Sequence, residues 1–235
     1  MKKKTTAFTL VLAAAIGASA LTGCKIATVI PIGTESEYTG ATKFDASAGG
    51  DSLWTDQMVP EITEKAVDLT ELLNSSNGDL FSDTASAQAA KVPTDSSAAA
   101  SKSIIYAVKG TGTVVEVVSK AVSEEASSKG YLLIKLDGYD GDDVIKLAVG
   151  PVNMDTSLRD AVDFMDINNY NGQKVTTNEW AQVASNINSM VQDYVIANVD
   201  LTTAQDKKVN FIGAFSISST KKDELFITPV SLELE

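Results

Sequence analysis

Ile104–Ser119 reads IIYAVKGTGTVVEVVS, a β-branched run of alternating apolar residues broken in its middle by Gly110 and Gly112. Glycines inside so long a strand mark a bulge or a sharp coil, where one strand turns a corner between two sheets. Tyr131–Leu136 and Val144–Val149 read as two further strands. They are joined by Asp137-Gly138-Tyr139-Asp140-Gly141-Asp142-Asp143, whose Asp-Gly pairs are hairpin residues. Lys208–Ser218 (KVNFIGAFSIS) and Leu225–Leu234 complete five strands.

Between the third and fourth strands, residues 155–198 read as a helical insertion. Thr176-x-x-Glu179 fits a capping box. Trp180, Val183, Ala184, Ile187, Met190, Val191, Tyr194 and Val195 then follow the helical apolar template. A shorter helix is expected from near Thr156 to Phe164. Three strands, a helix and two strands, with a glycine-broken first strand, is the order of an α+β OB-like five-stranded antiparallel Greek-key barrel. An open α+β meander with the helix on one face gives much the same pattern. Closure is preferred because it hides the sheet edges.

Residues 51–103 form a helical region and connection ahead of the β domain at 104–235. In Asp51–Leu73 the residues Trp54, Met58, Ile62, Ala66, Leu69 and Leu73 recur at spacings of three and four, with Asp51 or Ser52 as cap. Pro60 interrupts that pattern, so the helix is expected to start afresh there. Asn74–Ser103, rich in Ser, Ala, Asp and Asn, reads as a loosely ordered connection with a short helix at Thr84–Lys91.

The first residues read as an export signal. Lys2, Lys3 and Lys4 precede the apolar Ala7–Leu21, a run of signal-core length that falls short of a membrane span. Leu21-Thr22-Gly23-Cys24 resembles a bacterial lipobox, which makes residues 1–23 a cleaved lipoprotein signal peptide and Cys24 the lipidated N-terminus. Acyl chains stabilise anchoring by ~0.8 kcal/mol per buried methylene, so two chains hold the protein on a membrane. Residues 24–50 then read as the tether. Its first half is unusually apolar, with Ile26, Val29, Ile30 and Ile32, and is expected to lie on the folded body or on lipid headgroups.

Cleavage removes three of the 19 basic residues and none of the 31 acidic ones, leaving a net charge of −15. That balance argues against a nucleic-acid partner and against electrostatic adhesion to anionic lipid. There is no histidine, and the one cysteine is Cys24. Ser-His-Asp and Cys-His catalysis and zinc sites with imidazole or thiolate ligands are thereby removed. Nothing in the spacing marks out a Ser–Lys pair or paired carboxylates, and the chain reads as non-enzymatic, with no cofactor. The aspartates of 137–143 suit a hairpin turn better than a calcium loop.

Arg159 is the only arginine among 19 basic side chains. Its planar fork suits a carboxylate or a hydroxyl pair. One reading is an internal clamp to Asp155 or Asp163, four residues away on a helix face, or to the adjacent Asp160. The other is a ligand contact, shared with Asp160 and the polar group Asn168, Asn169, Tyr170 and Gln173. Amides there would fork vicinal hydroxyls, and the Tyr170 ring would take sugar C–H groups. The bland reading of that group is a solvated turn at Asn171-Gly172.

Several blocks are similar to a known family. They are Cys24-Lys25-Ile26 with Pro31-Ile32-Gly33, Phe44-Asp45, Trp54, Val59-Pro60 and Val108-Lys109-Gly110-Thr111-Gly112-Thr113-Val114. Downstream come Gly150-Pro151-Val152, Thr156-x-Leu158-Arg159-Asp160-Ala161, Asn171-x-Gln173, Ala181-x-Val183-Ala184 and Phe211-x-Gly213-Ala214-Phe215. They resemble the predicted periplasmic lipoproteins catalogued as domain of unknown function 2291. The resemblance implies a lipid anchor at Cys24 and an accessory role beside simple-sugar ABC transporters, with transporter components or a small saccharide as partner. Two departures stand out: Asn153-Met154-Asp155 replaces a basic residue and glycine after GPV, and the Asn171–Trp180 region is lengthened. A structural envelope module that presents strand edges or loops to another protein is the competing reading.

Overall fold

The structure, a computed structural model, describes residues 44–47, 49–92, 103–218 and 224–235. Cys24 and its lipobox, the Ile26–Ile32 stretch, most of the tether and the end of the connection at 93–102 lie outside the described residues. Asp45–Glu235 cluster as one unit.

The helical region begins with α1 (Gly50–Ser52), a widened π turn at Leu53–Met58 and α2 (Val59–Lys65). Neither Asp51 nor Ser52 caps it, contrary to expectation; the cap position is Gly49, with no side-chain bond. Pro60 has no N–H and its ring would clash with the carbonyl four residues back. The preceding turn widens, so that the Val59 amide donates to the Trp54 carbonyl, and a new α segment starts at Val59 with Pro60 in its first turn, as expected. The helical pattern expected to run on to Leu73 is broken at Ala66, whose backbone is extended. Val67–Asp68 forms a short strand, β1, and Asp68 then caps α3 (Leu69–Ser76), accepting from the Glu71 amide at 2.9 Å. The helix expected at Thr84–Lys91 is one turn, α4 (Asp83–Ser86).

The remaining strands follow the alternation closely. They are β2 (Ser103–Val118), β3 (Tyr131–Leu136), β4 (Val144–Ala148), β5 (Lys208–Ser218) and β6 (Glu224–Leu234). They make a six-stranded sheet in the order β1-β2-β3-β4-β6-β5, with β2 also paired to β5. β3, β4, β5 and β6 therefore each have two hydrogen-bonded neighbours, and β2 has three. The expectation of a purely antiparallel set is corrected in two places: β1 runs parallel to β2, and β4 runs parallel to β6. Both are consequences of long connections, which alone can return a strand in the same direction.

β2 serves two neighbours. Its first part pairs with β5 from Ser103 to Thr113, and its second with β3 from Gly112 onward. Gly112 faces Leu136 and Val209 at that handover, and a Cβ there would strike the Ile134 side chain and the Lys135 carbonyl. The glycines thus mark a close approach of three strands. The bulge itself falls between Val114 and Glu116. Where β3 does not reach, β1 and Lys91 cover the other edge of β2, with Lys91 and Ile105 exchanging backbone bonds at 3.1 and 2.9 Å.

The insertion lies between β4 and β5. It holds α5 (Ser157–Ala161), shorter than the span expected to Phe164, and α6 (Thr177–Met190), which continues through Val191–Val195 to Asn198. Thr176 and Glu179 form the expected capping box. Val183, Ala184, Ile187 and Val191 belong to the buried core, with Leu132, Ile145, Leu147, Leu158 and Ile227. Tyr106 and Phe215 stack at 5.4 Å within that core. The Tyr106 hydroxyl donates to the Leu80 carbonyl at 2.6 Å, tying the helical region to the strands.

Burial, reinforced by the charge of Asp79, pushes the Tyr106 hydroxyl up to about 12. In the unfolded chain a tyrosine titrates near ~10, so the folded state holds this proton more tightly. Its contribution to stability is complete below about pH 10 and is lost as pH rises through about 12. Tyr106→Phe is expected to lower the unfolding free energy at neutral pH by about 1–2 kcal/mol, because the Leu80 carbonyl loses its donor. It should also flatten the alkaline decline in stability. Urea titrations of both proteins across that range check both effects.

Candidate functional site

Gly150–Gln173 connects β4 to α6 mostly through irregular backbone, and its polar groups need partners outside regular structure. It begins against the turn at 128–130: Val149 and Gly150 amides donate to the Gly130 carbonyl at 3.1 Å, and the Val152 amide to Ser128. A Cβ on Gly150 would collide with the backbone of Ser128–Gly130, so the position needs glycine for close approach. Gln192, from beyond the end of α6, donates to the Gly150 carbonyl at 2.9 Å.

Asn153 and Asp155, the family departures noted above, are both built into the fold. Asp155 accepts from the Ser157 hydroxyl and, at 2.8 Å, from the Thr228 hydroxyl. Thr228 in turn accepts from the Asn153 carboxamide at 3.1 Å. The Asn188 carboxamide donates to the carbonyls of Asn153 and Asp155 at 3.1 and 2.8 Å. Ser157 also reaches the Ala214 carbonyl at 3.0 Å. Ser157, Asn188 and Thr228 are buried. One cluster therefore joins the connection, α5, α6, β5 and β6.

Arg159 is buried beside this cluster. Its partner is Asp160 rather than Asp155 or Asp163: Nε and Nη2 both reach Asp160 Oδ1, at 2.7 and 2.6 Å. Nη1 donates to the Trp180 carbonyl at 2.8 Å, and the guanidinium lies 4.6 Å over the Trp180 ring. Asp160 Oδ2 accepts from Thr156 at 2.7 Å. Asp163 instead pairs with Lys65 at 2.9 Å, and Lys65 also holds Glu61 and the Ala161 carbonyl. Burial works against the Lys65 charge, but Glu61 and Asp163 outweigh it and hold the ammonium above its usual range.

Tyr170 is also buried, edge-on to Trp180 at 5.9 Å, and its hydroxyl donates to the Ala46 carbonyl at 3.3 Å. Burial raises that hydroxyl above its ordinary range. Tyr170 and Gln173 exchange backbone bonds across Asn171-Gly172, both at positive φ, a two-residue hairpin of primed type. Asn168 folds back on Asp166, its amide donating to Oδ1 at 2.8 Å. Asn168, Asn169 and Gln173 are exposed on that turn. The structure thus brings Arg159, Asp160, Trp180 and Tyr170 into one internal stack and leaves the three amides outside it.

Sequence reading overlooked the Thr228–Asp155–Asn188 cluster. Asn188 carried a usable signal: it is a polar residue on the apolar stripe of α6. Thr228 carried none, since nothing in a strand marks which distant side chain its hydroxyl meets. Elsewhere Asp137 pairs with Lys208 at 2.6 Å, and the Tyr139 hydroxyl donates to Asp143. Among the described residues no group of three or more acidic side chains is placed to hold a metal ion. A groove of about 510 Å³ runs between the end of β6 and the turns that follow α6, lined by Tyr194, Asn198, Asp200, Lys207, Leu232 and Glu233 among others.

A six-stranded mixed sheet with this strand order and an inserted helix places the chain among OB-type folds. It is similar to the crystal structure of an OB-fold protein from Thermotoga maritima, at 14% identity and a TM-score of 0.53, over 83% of this chain and 100% of that one. Residues 14–233 match the family described as "Predicted periplasmic lipoprotein (DUF2291)", and the chain belongs to that family. Its place is accordingly extracytoplasmic, held to the cell envelope by lipid. No curated protein matches it.

Because three atoms of the guanidinium are engaged internally, Arg159→Lys is not a conservative change. It is expected to cost roughly 1.5–3 kcal/mol, as loss of hydrogen bonds to a charged group does, and Arg159→Ala at least as much. Chemical denaturation checks this; a change under about 0.5 kcal/mol, the ordinary surface effect, would mean the clamp is not structural.

Proposed function

We propose that the protein is a non-catalytic, lipid-anchored binding module that serves as an accessory to an envelope protein, and that it recognises its partner through surface rather than through an enclosed ligand site. In this reading Cys24 carries the lipid, residues 24–50 tether the body, and the five long strands close as an OB-type barrel with the 155–198 insertion across one end. The observation that carries it is the internal engagement of Arg159. The one planar donor fork in the chain, the group best suited to a sugar or carboxylate, is spent on Asp160 and Trp180. Tyr170, the ring expected to take a sugar, is buried in the same stack. The partner class is the one the family resemblance implies, a component of a simple-sugar ABC transporter.

The anchor and the charge fit this role together. The net charge of −15 left once residues 1–23 are removed, 16 basic against 31 acidic residues, keeps the body off anionic lipid. Among the described residues no helix is long and apolar enough to cross a membrane. Attachment then rests on the acyl chains.

Cys24→Ser is expected to abolish labelling by an alkyne-tagged fatty acid and to move the protein from the membrane fraction to the soluble one. An unlabelled wild-type protein would refute the anchor. Affinity capture of the full chain from detergent-solubilised membranes, read by mass spectrometry, should recover a transporter permease or solute-binding component. Recovery of no envelope protein, together with a shift in melting temperature on adding a monosaccharide, would overturn the surface reading in favour of a sugar site.

A further inference from the structure

β4 is five residues long and pairs with β6 only from Glu224 to Ile227, so the far half of β6 outruns its neighbour. On the other side β6 stays paired with β5 to Leu234. The Glu235 amide donates to the Lys208 carbonyl at 3.0 Å, which sets the alternation. Backbone groups of Glu233 and Glu235 point to β5, while the N–H and C=O groups of Leu232 and Leu234 point outward. Among the described residues no strand covers that edge, in contrast to β2, whose spare edge is covered by β1 and Lys91. The groove of about 510 Å³ runs alongside it.

The charges of this groove have one sign in excess. The helical run from Thr177 to Asn198 ends here, and its C-terminal carbonyls carry the negative end of the helix dipole. No basic residue lies in the last turn of any of its segments. Among the described residues, Asp200 and Glu233 line the groove against the single cation Lys207. Threonine hydroxyls and the Thr202 amide donate to Asp200 and, with Lys207 nearby, hold its carboxyl below the usual range, so it stays ionised. A second copy of the cleaved chain would bring Glu233 and Glu235 and a further net charge of −15 to this edge, which disfavours self-pairing.

We infer that the outer edge of β6 at Leu232–Leu234 is a docking site for an extended, basic segment of a partner protein, added as a strand. Backbone bonds to Leu232 and Leu234 supply affinity, and Lys or Arg side chains of the segment meet Glu233, Asp200 and the helix end. This rests on the surface-recognition reading above and names the surface.

The test uses the full lipidated chain in neutral detergent and a fluorescein-labelled heptapeptide of alternating lysine with valine or threonine. Two controls replace every lysine by glutamate or N-methylate alternate backbone amides. Fluorescence anisotropy should show the basic peptide binding at least tenfold more tightly than either control, and Glu233→Lys should weaken it at least fivefold. Hydrogen exchange should slow at the Leu232 and Leu234 amides when the peptide is present. Equal binding of the three peptides, no binding, protection elsewhere, or protection already present from self-association would each overturn the assignment. If the peptides fail but membranes yield a partner, the edge alone is wrong. If the peptide binds here and membranes yield none, the edge stands and the transporter link falls.

Discussion

The structure depends on satisfying one irregular, partly buried stretch of backbone. Gly150–Asp163 crosses from β4 to the helical insertion through the interior margin of the sheet, where an unpaired amide or carbonyl costs about as much as a lost hydrogen bond. The solution is a carboxylate, Asp155, held by two hydroxyls, with the Asn188 carboxamide closing the backbone behind it. No buried side-chain nitrogen or oxygen among the described residues lacks a partner. A polar cluster of this kind stabilises when complete and destabilises when one member is missing. It therefore fixes the position of everything it touches: α5, α6, β5 and β6.

Once that connection is set, the rest of the body follows. Arg159 lies one turn further on and fastens α5 to the start of α6 through Asp160 and Trp180. Lys65 fastens the same segment to α2. Alternate residues of the connection face outward as a result: Met154 is 83% exposed and Val152 46%, while their neighbours Asn153 and Asp155 are tied down. What the protein offers its surroundings is thus a rigid acidic body with a few outward apolar and backbone groups, held beside a membrane by its lipid.

Much of this was legible in the sequence where the governing contacts are local. The capping box at Thr176–Glu179, the face of α6 and the five long strands rest on periods of 3.6 and 2 that tertiary packing preserved. The break at Ala66 was less visible, because Leu69 and Leu73 stay in phase with Trp54 and Ile62 across it. Asp68 and Glu71 held the clue, three residues apart at a helix start. The parallel pairing of β4 with β6 had no local signature, since it depends on where a long connection returns the chain. Arg159 was singled out by its rarity, but its partner was left open among Asp155, Asp160 and Asp163, of which the structure selects Asp160. Spacing alone cannot weigh those three; Asp155 is claimed by Thr228 and Asp163 by Lys65, and both claims come from distant parts of the chain.

The account stands on the coupling between Asp155 and Thr228, which a double-mutant cycle measures directly. Asp155→Asn, Thr228→Val and the double variant would be compared by urea denaturation. If the cluster organises the fold, the two changes are non-additive, with an interaction energy of about 1–2 kcal/mol, as for residues in one hydrogen-bonded network. Additivity within about 0.3–0.5 kcal/mol, the behaviour of independent sites, would contradict it.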